Sequence, residues 1–291
     1  SIPSLIGYYD ATTNKARTLT VGAQNIIKKM GNEPLEITAY ANLLSRYWYF
    51  GDFTSHNYNL ARWEPYMRFK NNIILNTVRY YDTPYDDPTT LTVYPGKSLK
   101  EVAEIHAKFT ETKLSRLKTP QEIQKIIDLK PEMNRYVMQL KYKGKTTFLR
   151  VFNDQEAWPG ETEVSAALLR LMPVKMPKIA FLTGNLERDI NKLGDRDYKV
   201  LNNERTFRHS LMNQGFDVDT VSLESQQIPA DITTLVTADP KIEFDGDAMV
   251  KLQHYIDQGG NLLIAGEPGK EGILNPLLQQ LGVQLMEGTV I

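Results

Sequence analysis

Apolar and polar positions alternate along this chain with periods that change from helical to extended and back. Thr20 precedes a run in which Ile26, Ile27 and Met30 share one side, and Gly31 follows it, so a capped and terminated helix is predicted over residues 20–30. Residues 35–41 alternate and read as a strand, as does the β-branched and aromatic run 73–81. A helix is expected over residues 57–70, with Pro65 either kinking it or marking a late start. Ser98-Leu99-Lys100-Glu101 and Thr119-Pro120-Gln121-Glu122 are capping boxes, the first opening a helix to residue 109. Residues 135–143 and 146–152 flank Gly144-Lys145 as a hairpin, and a helix over 161–172 follows. Residues 8–20 read as an extended opening segment, and 82–88 as a loop rich in Asp and Pro.

The second half is more regular. Strands are predicted at 178–183, 217–223, 233–237, 261–265 and 283–286. Helices are predicted at 203–214, with Phe207 and Leu211 inward, at 245–258, with Met249, Leu252 and Ile256 at core spacing, and at 273–281. The order of elements therefore predicts two α/β domains. Residues 1–172 form a mixed-sheet, thioredoxin-like domain, and Pro173-Val174-Lys175-Met176-Pro177 is a short semi-rigid linker. Residues 178–291 form a flavodoxin-like parallel-sheet domain, of the kind shared with class I amidotransferase-like domains.

Composition removes several function classes. The 34 basic and 35 acidic side chains nearly cancel, so no global field draws the chain to nucleic acid or an anionic bilayer. Without cysteine there is no disulfide, thiolate metal site or thiol nucleophile. No Gly-x-Ser-x-Gly elbow is present. Gly266-Glu267-Pro268-Gly269-Lys270 sits where a phosphate loop could lie, but two residues rather than four separate the glycines and Glu271 follows the lysine. A tight turn is expected there, with no nucleotide and no other cofactor. His56, His106, His209 and His254 lack ligand spacing, and the Asp82, Asp86 and Asp87 loop lacks that of a calcium loop, so no metal site is assigned. With no nucleophile and no ATP motif, a non-enzymatic protein is expected. No apolar run is long enough to span a bilayer, and no signal-like segment opens the chain. Both ends read as boundaries, with membrane segments expected in flanking sequence.

Several segments together carry a family resemblance. They are the opening Tyr9-Asp10-Ala11-Thr12-Thr13-Asn14-Lys15-Ala16-Arg17-Thr18-Leu19-Thr20 with its following helix and strand, the strand 178–184 ending in glycine, and residues 231–240, 244–260 and 261–268. These resemble the extracytoplasmic region of gliding-motility-associated ABC-transporter auxiliary proteins. That family often has a Gly-His-Gly-Glu turn where this chain has Gly184-Asn185-Leu186-Glu187, so no role of the histidine carries over. The resemblance implies a module held on the periplasmic or extracytoplasmic side of the cytoplasmic membrane, working with an ABC permease and ATPase or with exported cargo, and tethered only through segments outside this stretch.

Two sets of residues are candidates for contact. Asn185, Glu187, Arg188, Asp239 and Glu267 all fall just beyond the carboxyl ends of predicted parallel strands, where open α/β sheets bind ligands. Their carboxylates suit a cation, a basic group or a polyhydroxylated ligand, as in a module for a carbohydrate or small solute, or else they simply cap loops and helix starts. Tyr47, Trp48 and Trp63 belong to an aromatic cluster suited either to partner contact or to a core.

Overall fold

Two sheets, each with its own core, organise the protein, and the computed structural model describes them over residues 10–11, 18–87, 89–195 and 197–288. The chain divides into two compact units, Ser1–Val174 and Lys175–Ile291, and the division falls inside the proline-bracketed segment 173–177. Most of the opening segment, including residues 12–17 of the opening motif, lies outside the described residues, as do residues 289–291.

In the first unit β1 (Leu35–Asn42) and β2 (Ile73–Tyr80) pair in parallel, while β3 (Val137–Tyr142) and β4 (Lys145–Arg150) form the antiparallel hairpin. The order β2-β1-β3-β4 is the mixed, thioredoxin-like sheet expected from the sequence. Helix α1 (Val21–Lys29) starts where the Thr20 hydroxyl accepts from the Ala23 N–H at 3.3 Å. Helix α2 (His56–Met67) accommodates Pro65 near its end, and a short helix α3 (Thr89–Thr92) lies beyond what periodicity reveals. Helices α4 (Leu99–Phe109) and α5 (Pro120–Gln124) both begin at their capping boxes, where Ser98 N–H donates to Glu101 at 2.8 Å and Thr119 N–H to Glu122 at 2.7 Å. Helix α6 (Glu161–Leu171) packs on β3, β4 and α1.

In the second unit β5 (Lys178–Thr183), β6 (Asp217–Ser222), β7 (Thr234–Ala238) and β8 (Asn261–Ala265) are all parallel, in the flavodoxin-like order β6-β5-β7-β8. Helices α7 (Lys199–Asn203), α8 (Gly246–Asp257) and α9 (Glu271–Gln279) complete it. Asp245 caps α8 by accepting from Ala248 N–H at 2.7 Å.

Two expected elements are absent. The helix over 203–214 does not form: α7 stops at Asn203 and a series of turns follows. There the Asn213 amide donates to the carbonyl of Phe207 at 2.9 Å and to the Ser210 hydroxyl at 2.9 Å, and Glu204 accepts from Thr206 N–H at 3.1 Å. Side chains have taken over backbone partners that a helix would use. The strand over 283–286 does not form either. Asn275 accepts from Leu285 N–H at 2.7 Å and donates to its carbonyl at 3.2 Å, occupying the groups a ladder needs. Among the described residues, no helix is long and apolar enough to cross a membrane.

Candidate functional site

The carboxyl ends of β5, β7 and β8 deliver three loops to one place in the second unit. Each loop is turned by backbone that few side chains adopt: Gly184 and Leu186 after β5 have φ of 123° and 57°, Asp239 after β7 has 54°, and Gly269 after β8 has 78°. The loops are stitched together by main-chain bonds. Arg188 N–H donates to the Ala238 carbonyl at 2.9 Å, and Asp239 N–H to that of Ala265 at 2.7 Å.

Four charges meet at this seam. Arg188 Nη2 lies 2.5 Å from Glu267 Oε1 and 3.6 Å from Asp239 Oδ2, while Lys241 Nζ bonds Asp239 Oδ2 and lies 3.6 Å from Glu267 Oε2. Two cations and two carboxylates thus close on one another. Asp239 is buried to 2% exposure, whereas the side chains of Lys241 and Glu267 are 30% and 36% exposed, so the network runs from a sealed anchor to a solvent-facing rim. The guanidinium of Arg188 also sits 5.5 Å from the centre of the Tyr198 ring.

Of the residues singled out from the sequence, Arg188, Asp239 and Glu267 come together here. Asn185 and Glu187 lie on the same β5 loop but look elsewhere. Asn185 N–H donates to Glu187 Oε2 at 2.8 Å, and the Asn185 amide donates to the Glu243 carbonyl at 2.8 Å. Burial pushes the Glu187 carboxyl above its ordinary range, opposed in part by backbone N–H donors from Glu187 and Asn185. Its Oε1 is buried with no hydrogen-bond partner among the described residues. Lys241 is the residue that sequence reasoning missed; its place two residues after Asp239, in the same strand-end loop, was the available signal.

The aromatic candidates lie in the first unit. Tyr47, Trp48 and Trp63 are 2%, 6% and 3% exposed within its core, and the exposed ring of that run is Tyr49. Tyr47 donates its hydroxyl to the Phe152 carbonyl at 2.7 Å, and Trp63 borders a cleft beside α2. The acidic loop does not gather its carboxylates. Asp82 accepts from Thr83 N–H at 2.8 Å, Asp86 faces Arg135 at 3.6 Å, and Asp87 accepts from Thr89 N–H at 3.2 Å. The Gly266–Lys270 segment is a turn between β8 and α9, and its Glu267 is held by Arg188.

No curated protein and no solved structure matches the chain. Residues 176–291 match the family model described as an ABC-type uncharacterized transport system, so the second unit is similar to that family from its second residue onward.

Proposed function

We propose that this chain is a non-catalytic, extracytoplasmic auxiliary component of an ABC-type transport system, of the gliding-motility-associated kind, whose second unit docks to the permease or its cargo. The family match over residues 176–291 carries the reading. The strand-end network supplies the docking chemistry: a charged rim of Lys241 and Glu267 anchored on buried Asp239 is suited to a polar protein surface of mixed charge.

The geometry around Asp239 also supports a non-catalytic role. Asp239 stands at a left-handed turn directly after β7, and α/β hydrolases place their nucleophile on a sharp turn of this kind between a strand and a helix. The residue after such a nucleophile must offer its backbone N–H to the oxyanion, and here it is Pro240, which has none. Arg188 and Lys241 clamp the carboxylate itself, which lowers its nucleophilicity. The same clamping favours protein docking over capture of a small cation by these carboxylates.

The test is co-purification from detergent-solubilised membranes that contain the permease and ATPase of the system. The wild-type chain is expected to retain them, and Lys241→Glu to lose most of this retention with an unchanged melting temperature for the first unit. Equal retention by both proteins would remove the strand-end network from the docking surface.

A further inference from the structure

The first unit contains a cleft of about 190 Å³ that the docking role leaves unused. Helix α2 contributes Arg62, Trp63 and Tyr66 to it, and the segment leading into α6 contributes Trp158, with Val164 from the first turn of that helix. The Arg62 guanidinium lies 4.3 Å from the centre of the Trp158 ring and 4.8 Å from that of Phe50. It is half-buried, and burial works against its charge. Yet no carboxylate among the described residues pairs with it; its one hydrogen bond there is from Nη1 to Asn59 Oδ1 at 3.2 Å. The acid on the cleft wall, Glu161, is engaged elsewhere, since both of its oxygens accept from Thr20 N–H at 3.1 Å.

A guanidinium held beside two rings, with most of its fork unused among the described residues, is matched by the two oxygens of a carboxylate. The neighbouring recess of Trp63, Tyr66 and Trp158 is matched by an apolar or aromatic body. We propose that this cleft binds a carboxylate carried on a small apolar or aromatic body, with the carboxylate on Arg62 and the body against the three rings. A free organic acid and the C-terminal residue of a peptide share that chemistry.

All three tryptophans lie in the first unit and two of them line the cleft, so intrinsic fluorescence reports occupancy. The whole chain is titrated with 3-phenylpropionate, with its neutral amide, and with the peptide Ala-Ala-Phe bearing a free or an amidated C-terminus. The expected result is a saturable change with the acids, weaker by about tenfold or more for the amides and for the Arg62→Gln variant. A peptide that binds more tightly than the free acid identifies a chain terminus as the ligand, and the reverse identifies a solute. Equal binding of acid and amide to the wild-type chain overturns the proposal, whether or not Arg62→Gln folds. So does the lack of any saturable change at millimolar concentration.

Discussion

In the first unit Arg150 grips Glu132 through two hydrogen bonds of 2.6 Å, with the carboxylate sealed at 4% exposure, whereas in the second unit Arg188 and Lys241 share Asp239 and Glu267 at an open sheet end. The first arrangement is a closed pair inside a fold. It fixes how the segment before β3 meets β4, and it offers nothing to a partner. The second spreads two charges of each sign from a buried anchor to a wet rim, where a partner can exchange contacts without unfolding the unit. Burial, rather than the mere presence of charge, separates scaffold from surface.

The largest expected effect breaks the sealed pair. Arg150→Met leaves Glu132 buried without that cation and should destabilise the first unit by about 3–5 kcal/mol, while the double variant Glu132→Leu with Arg150→Met should recover most of the loss. Denaturant melts followed by tryptophan fluorescence check this, because that signal arises in the first unit alone. If the double variant is as unstable as the single one, the pair does more than satisfy itself. Arg188→Met in the second unit should cost less, about 1–2 kcal/mol, since Lys241 still holds Asp239 and the rim is hydrated. Amide exchange of β5 and β7 reads that change; a loss as large as that of Arg150→Met would erase the contrast between the units.

The smallest effect concerns Glu187. Its carboxyl is raised in the folded state by burial, so folding favours its protonated form. Any stability from this group is present below the ordinary carboxylate range and is lost as pH rises through the raised value. Glu187→Gln, which keeps an acceptor for Asn185 N–H, should therefore be the more stable protein at neutral pH, with the gap closing in acid. Urea midpoints of the second unit, compared between the two proteins across that range, decide it; a gap independent of pH would contradict the assignment.

What could be read from the sequence was local or periodic. Thr20, Ser98 and Thr119 announce helix starts through bonds made within a few residues, and the strand order of both sheets follows from the succession of elements. What could not be read depends on side chains competing with the backbone or on partners distant in sequence. Phe207 and Leu211 have helical spacing, yet Asn213 and Glu204 redirect the chain into turns. Residues 283–286 alternate like a strand, yet Asn275 claims the backbone of Leu285. At the site, Asp239 and Glu267 follow from the strand-end rule, but their neutralisation by Arg188 and Lys241 joins residues up to 79 positions apart, which no local pattern encodes. The aromatic run has the composition of a contact surface, and only burial reveals that Tyr47, Trp48 and Trp63 belong to a core.

The most direct measurement is photo-crosslinking in intact cells that express the whole transport system, with the reactive residue placed at Lys241 in one protein and at Lys145, an exposed position of β4 in the first unit, in another. Adducts with the permease or its cargo from position 241, lost when Arg188→Glu is added, are the predicted result. Adducts from position 145 alone, or none with the permease or its cargo from position 241, would contradict the assignment of the strand-end network as the docking surface.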